Sequence, residues 1–479
     1  MNRYLTVVLT CVIVSTSTIA ISKLDAAKPN VIYIMADDAG IGDIGAYGGK
    51  IIATPNIDKL AREGLKFTQH YSGSTVCAPS RSVLMTGQHT GHTRIRGNST
   101  NAALLVEDVT VGEIMKQAGY VTAAMGKWGL GSSDSTGAPW KQGFDHYFGY
   151  LNQTNAHHYY PEFLWKDGSK KFYPDNPKSR THYSHDEFTN EALAFLEQYH
   201  DQPFFLYLPY TIPHVDLDVP DDSKHPYLGK LRPETPYGKP GKQHYRHEKN
   251  PHATFAGMIS RLDRDIGSIM ARLKTLGIDD NTLVIFCSDN GATSAGGADP
   301  DFFDSNGPYR GIKRDLYEGG IITPMIARWP GKIKPSSITD HVSGFQDLLP
   351  TMAELANVNV PANIDGISYL PTLMGNTSDQ KQHEYLYWEF GEKGGKRALR
   401  CGDWKLVQLK LNAKKPPAPE LYNLKTDPAE TNDLATKNAA TMQRLKALMD
   451  SARTKSDKFP LFYSEGAGQK KRAIKSTNR

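Results

Sequence analysis

The chain has 479 residues, 39% hydrophobic and 22% charged, with 17 Phe, 24 Tyr and 6 Trp, which excludes both a disordered chain and a single small module. Lys and Arg number 56 against 51 Asp and Glu, a net charge of +5, and Lys470, Lys471, Arg472, Lys475 and Arg479 crowd the C-terminal end. The body is therefore near neutral and lacks the basic stripe of a nucleic-acid binder.

In chain order, Arg3 precedes an apolar stretch over 5–21 that is spotted with Ser and Thr and followed by Ala26 and Ala27. This pattern resembles a secretory signal peptide over 1–27, and it predicts an exported protein, periplasmic or secreted, with no stable membrane span. Of the four cysteines, Cys11 would leave with that segment. The remaining Cys77, Cys287 and Cys401 are an odd number in an oxidising compartment, so at least one is unpaired or modified.

The run NVIYIM at 30–35 reads as a buried strand. Thr54 and Pro55 open a helix whose Ile57, Leu60 and Ala61 share a face, and Gly64 closes it. The same grammar recurs at 110–119, followed by a strand at 120–125, with further strands at 204–208, 283–287 and 324–327. Met258, Ile259, Leu262, Ile266, Ile269 and Leu273 recur at helical spacing within a long helix over 254–276. The Pro-, Lys-, His- and Tyr-rich segment 216–251 shows no periodicity and reads as a surface insertion. Its Lys230, Arg232, Lys242, His244 and Arg246 would attract a polyanion. Short strands at 385–390, 396–400 and 404–409 precede a polar helix. The expectation is an α/β fold: a large, mainly parallel sheet sandwiched by helices over 28–375. A smaller C-terminal α+β domain, an antiparallel sheet plus helix, follows over 376–460, and a basic tail over 461–479.

Unusual polar residues fall where these strands end. Asp37 and Asp38 follow the first strand, Lys127 the second, His214 the third, and Asp289 with Asn290 the fourth. In an open α/β sheet, ligands bind beyond the carboxyl ends of the strands, so four separated segments converge there if the strands are parallel. Three carboxylates and an amide oxygen suit a hard cation, Ca²⁺ or Mg²⁺, rather than Zn²⁺. Cys77 lies in CAPSR, where Pro79 favours a helix first turn. It would sit at a helix N-terminus that favours an anion, with Arg81 adding a positive fork.

The motif CAPSR followed by Leu84, Thr86 and Gly87 resembles the signature of the type I sulfatase family, within the alkaline-phosphatase-like superfamily. DDAG from Asp37, GKW from Gly126, Pro213 with His214, SDNG from Ser288, YRGIKRDLYEGG from Tyr309 and ELYNLKTDPAETNDLA near the end match in order. The resemblance covers about residues 28 to 435. It implies that Cys77 is converted to 3-oxoalanine (formylglycine) by a maturation enzyme, and that Ca²⁺, ahead of Mg²⁺, is held by Asp37, Asp38, Asp289, Asn290 and the modified Cys77. In the family the aldehyde hydrate attacks sulfur and the alcohol leaves, after which the hemiacetal collapses and expels sulfate. Arg81, Lys127 and Lys313 would then neutralise the ester's charge, and His214 would protonate the leaving oxygen.

One departure stands out. Many family members have His two residues after the Lys of GKW, where this chain has Gly129; His92, His157 or His158 are candidates to replace it. The stretch NAHHYYPEFLW, with His157 and His158, suits stacking on a sugar, and Arg94 and Arg96 are candidates to meet acidic sugars. The function expected is an exported sulfatase, a sulfuric ester hydrolase, acting on a sulfated polysaccharide or oligosaccharide, with a galactan such as carrageenan as first candidate. The rivals are a phosphonate or phosphate monoester hydrolase of the same superfamily and a glycan-binding protein with a decayed site. The sequence does not reveal the oligomeric state.

Overall fold

The structure is a computed structural model that describes residues 28–98, 102–241 and 244–466. The expected signal peptide, Lys242 and the basic end of the tail lie outside these residues. Among the described residues no helix is long and apolar enough to cross a membrane.

The strand Asn30–Ala36 is buried along its whole length because its apolar side chains serve both faces of a sheet. Ile32 and Ile34 point into one core with Met258, Ile259, Leu262, Ile266, Ile269 and Leu273 of the helix Pro251–Thr275. Val31, Tyr33 and Met35 point into the other, against Val83, Leu84 and Met85 of the helix Cys77–Thr86. Ten strands pair in the order Ser337–Thr339, Leu65–Phe67, Met325–Arg328, Thr282–Ser288, Asn30–Ala36, Phe204–Pro209, Val121–Lys127, His146–Tyr150, Phe163–Lys166 and Ser169–Phe172. The five strands from Thr282–Ser288 to His146–Tyr150 are parallel, and Met325–Arg328 beside them runs antiparallel. The mainly parallel sheet read from the sequence is the one observed, and its parallel centre brings four chemistry-bearing strand ends to one side.

Local sequence explains the element ends. The Thr110 hydroxyl accepts a hydrogen bond from Glu113 N while the Glu113 carboxylate accepts one from Thr110 N, a reciprocal cap. Thr54 occupies the N-cap of the helix Pro55–Arg62, yet its hydroxyl accepts from Gly45 N and donates to Asp58 instead. Gly126 and Gly149 are register partners in neighbouring strands. A Cβ on Gly149 would lie 1.8 Å from Gly126 O, and one on Gly126 would lie 2.1 Å from Pro209 O. The glycine of GKW is thus required by close strand approach, and it sets Lys127 at the strand's end.

The insertion over 216–251 is less superficial than expected. Asp216, Leu217, Asp218 and Val219 are buried, because Asp216 accepts from Arg246 N, Arg180 grips both oxygens of Asp218, and the two apolar side chains join the core. The three described cysteines are all free thiols.

The C-terminal part is an antiparallel sheet of Leu386–Phe390, Lys396–Cys401, Trp404–Leu409 and Glu420–Asn423, covered by the helix Ala439–Ser451. The last of these strands was not expected. A buried cluster joins it to the larger part: Lys405 Nζ lies 2.8 Å from both Glu318 Oε1 and Glu430 Oε1, and Glu430 Oε2 accepts from Glu318 N. Burial, reinforced by Glu318 and opposed by Lys405, pushes the Glu430 carboxyl up from its ordinary 4.5 to about 7. The native state therefore keeps a proton that the unfolded chain loses, so this group's contribution to stability falls as pH rises from about 4.5 to about 7 and is flat above. Glu430→Gln is expected to remove that part of the slope, measured as the unfolding midpoint against pH; an unchanged slope contradicts the assignment.

Candidate active site

Each polar residue expected at a strand end arrives there. Asp37 and Asp38 directly follow Asn30–Ala36, Asp289 and Asn290 directly follow Thr282–Ser288, and Lys127 ends Val121–Lys127. His214 lies a short loop beyond Phe204–Pro209. Cys77 opens the helix Cys77–Thr86, and Arg81 lies one turn further along it.

The site is buried and charge-balanced. Asp37, Asp38, Asp289, Asn290 and Arg81 are fully buried. Arg81 Nη2 lies 3.2 Å from Asp37 Oδ2 and 2.9 Å from Asp289 Oδ2, while Nη1 donates to Lys127 O at 2.5 Å. Lys127 Nζ lies 2.6 Å from Asp37 Oδ2, and Lys313 Nζ lies 2.5 Å from Asp38 Oδ1. Cys77 Sγ sits between the two signs of charge, 3.3 Å from Asp37 Oδ1 and 3.3 Å from Lys313 Nζ. Three carboxylates thus meet three cations, and each charge is held by a partner that it would be costly to remove.

These neighbours set the protonation states. Burial would raise the Asp37 carboxyl, but Lys127, His214, Arg81 and Lys313 outweigh it and hold it well below the usual range. Burial and Asp37 push Asp289 up to about 6, against Arg81. Burial and Asp37 also push the Cys77 thiol up to about 12, against Lys127 and Lys313. An unmodified thiol here is protonated at neutral pH and is a poor nucleophile.

His214 is oriented by its own backbone. Its Nδ1 lies 2.6 Å from Val215 O, so Nδ1 carries the proton that this contact needs and Nε2 remains the atom that exchanges one. Nε2 faces Asp38 Oδ2 at 3.7 Å. Burial and Lys313 push the ring down to about 4, against Asp37 and Asp38. His157 stacks on it with ring centroids 4.9 Å apart.

The donor set fits a hard cation. Asp38 Oδ2 and Asn290 Oδ1 are buried acceptors that no donor among the described residues reaches, an arrangement that suits a positive ligand. Ligand atoms of Asp37, Asp38, Cys77 and His214 all lie within 4.8 Å of one another. His214 was not expected in that group; Asp289, which was expected to ligate, accepts from Asp38 N on Oδ1 and from Arg81 on Oδ2, and each oxygen keeps a second lone pair for a cation.

The remaining expected contacts divide. His158 is largely exposed and pairs with Asp216 at 3.2 Å. Arg94 is held by Asp108 and Glu107. Arg96 is buried, with Nη1 3.0 Å from Glu389 Oε1 and 2.7 Å from Thr454 O, tying the loop that carries it to the C-terminal part. His92 pairs with Asp365 at 2.9 Å, outside the Cys77 cluster. Two residues at the edge of the cluster went unnoticed in the sequence. Asn98 Oδ1 accepts from Ala78 N at 3.1 Å, and Gln153 Nε2 lies 2.1 Å from where a Cβ on Gly129 would stand. Neither has a motif or a periodicity to mark it.

The family model Sulfatase matches residues 29–358. The chain belongs to the sulfatase family. A second model, N-sulphoglucosamine sulphohydrolase, C-terminal, matches residues 310–455, which covers the segment of Lys313 and the antiparallel sheet. An N-acetylgalactosamine-6-O-sulfatase of Bacteroides thetaiotaomicron is 28% identical, over 90% of this chain and 94% of that protein. Human arylsulfatase A is 30% identical, over 90% of each. The crystal structure of Ps i-CgsB in complex with k-i-k-neocarrahexaose superimposes with a TM-score of 0.77 at 27% identity, over 93% of this chain and 98% of that one. This sulfatase is accordingly a sulfuric ester hydrolase of alkaline-phosphatase-like fold.

Arg81→Lys would keep the charge but lose the fork that reaches Asp37, Asp289 and Lys127 O together. The expected result is a loss of about 3–5 kcal/mol in unfolding free energy, read from denaturant midpoints; an unchanged midpoint would show that the fork is dispensable.

Proposed function

We propose that the protein is an exported sulfatase that removes sulfate from a sulfated polysaccharide or its oligosaccharides, with Cys77 converted to formylglycine and Ca²⁺ held by Asp37, Asp38, Asp289, Asn290 and the converted side chain. The observation that carries this reading is the position of Cys77 Sγ, 3.3 Å from Asp37 Oδ1 and 3.3 Å from Lys313 Nζ, beside the unpartnered oxygens of Asp38 and Asn290. Relatives named for N-acetylgalactosamine 6-O-sulfate and a structural neighbour complexed with neocarrahexaose support a glycan substrate, and a galactan such as carrageenan is the first candidate. The pattern over 1–27 supports export, and conversion of Cys77 requires a maturation enzyme as partner.

The chain's own residues divide the work. A sulfate monoester presents negative oxygens to any nucleophile, so the site must neutralise charge and hold the sulfur in line. Arg81, Lys127 and Lys313 approach the Cys77 position from three elements and supply fixed positive charge without reorganising. His214, its Nδ1 committed to Val215 O, can pass a proton from Nε2 to the leaving oxygen once that nitrogen has taken one up, which the negative charge of a bound sulfate ester favours. The surrounding core keeps bulk water from the cluster. Ca²⁺, when bound, supplies a Lewis acid that draws charge from the ester oxygens.

Conversion is checked directly: a mass spectrum of active material should show the aldehyde at position 77, Cys77→Ala should abolish turnover while the fold persists, and chelation should remove activity that Ca²⁺ restores. An unmodified thiol in active protein, or turnover that survives full chelation, sinks the proposal.

The role of His214 has its own test. His214→Ala is expected to lower kcat on a sugar sulfate by about 10²–10⁴-fold and to cost much less on a nitrophenyl sulfate, whose leaving group needs no proton. Equal losses on both esters would assign His214 to binding instead.

A further inference from the structure

We propose that the cavity beside Gly129 seats an uncharged sugar ring of the substrate and that the Gln153 side-chain amide is the donor that fixes it, a proposal that rests on the sulfated-glycan reading above. The cavity holds about 250 Å³ and its walls include Asn98, Ser132, Ser133, Asn152, Gln153 and Trp165. Taking about 30 Å³ for each liquid water, that is room for about eight waters, the scale of one pyranose ring with its hydroxyls. It adjoins the reacting centre on two sides. Asn98 accepts from Ala78 N, one residue past Cys77, and Gly129 lies two residues past Lys127.

The lining decides the chemistry. Among the described residues no charged side chain lines this cavity. The cation at its edge, Arg81, is already paired with Asp37 and Asp289, so a carboxylate or a second sulfate placed there would lose its hydration without gaining an unpaired counter-ion, which is unfavourable. Amides and hydroxyls match sugar hydroxyls, and the Trp165 indole offers an apolar wall to the ring's C–H face.

Gln153 supplies the orientation. Its Nε2 is buried and reaches no acceptor among the described residues, and the same holds for Arg81 Nε. The two come together at Gly129: a Cβ there would lie 2.1 Å from Gln153 Nε2 and 3.9 Å from Arg81 Cδ. Buried donors are normally satisfied, so a substrate oxygen at this junction completes both. Gly129 itself has φ +80°, and its missing side chain is what gives the Gln153 amide its space. The space beside Gly129 is thus taken by a neutral amide from the loop after His146–Tyr150.

The test uses the full chain with Cys77→Ala, which performs no chemistry, and two probes that differ only in a carboxylate, methyl β-galactopyranoside and methyl β-galacturonide. Saturation-transfer NMR should show the galactoside bound and the galacturonide at least about tenfold weaker. Gln153→Glu and Gly129→Ala should each weaken galactoside binding about tenfold, the effect of one lost hydrogen bond, the first with the unfolding midpoint kept and the second with it lowered by the strain of a side chain at φ +80°. In matured enzyme both should raise KM for a sulfated oligosaccharide about tenfold and leave kcat within about twofold. Equal binding of the two probes, or galactoside binding indifferent to both substitutions, overturns the proposal even if the enzyme desulfates glycans. Failure of the matured wild type to desulfate any glycan would instead overturn the broader reading, while the binding arms still decide the cavity.

Discussion

Three carboxylates and three cations share one buried space at the carboxyl ends of the parallel strands, and the rest of the molecule is arranged around keeping them there. Asp37, Asp38 and Asp289 are fully buried. Isolated ions in such a place would neutralise or unfold the protein. Arg81, Lys127 and Lys313 prevent that, and Arg81 does most because one guanidinium reaches Asp37, Asp289 and the Lys127 carbonyl together. The same geometry that stabilises the carboxylates leaves positive charge facing Cys77, where a sulfate ester must lose its own hydration.

The smaller C-terminal part serves that site at a distance. Lys313 lies on a loop that bridges both parts: Lys313 N donates to Ala292 O, Arg314 N to Thr75 O, and Lys396 Nζ of the antiparallel sheet to Arg314 O. The buried group of Glu318, Lys405 and Glu430 anchors the end of the same loop. Trp388 donates to Ser72 O, just ahead of the helix that carries Cys77. The C-terminal sheet therefore works as a brace that holds Lys313 and the Cys77 helix against the large sheet.

The imidazoles fall into separate roles by burial and partner rather than by sequence neighbourhood. His214 is fixed by Val215 O and backed by His157. Burial, His214 and Lys127 push His157 down to about 2, so it backs the site as a neutral ring. His158, its neighbour in sequence, points out toward Asp216. The insertion over 216–251 contributes Tyr245, whose ring lies 5.5 Å from that of His157, so this segment closes over the histidines.

Sequence by itself determined the strand–helix alternation, the two-sided burial of Asn30–Ala36, the stripe of the long helix and the placing of Asp37, Asp38, Lys127, Asp289 and Asn290 at strand ends. Those features are local: periodicity and a cap or a terminus are written within a dozen residues. The collinear motifs likewise marked Cys77, Arg81, His214 and Lys313 as one set. Tertiary structure alone decided what depends on partners far apart in the chain. It turned Met325–Arg328 antiparallel and drew Asp216 to Val219 inward. It spent Arg96 on Glu389 and Thr454, a pairing across some 300 residues, and brought Gln153 into the space left by Gly129. An isolated Arg or Gln looks the same in sequence whether it meets a ligand or a distant backbone, because the energy of burying it is set by neighbours that only the folded chain supplies.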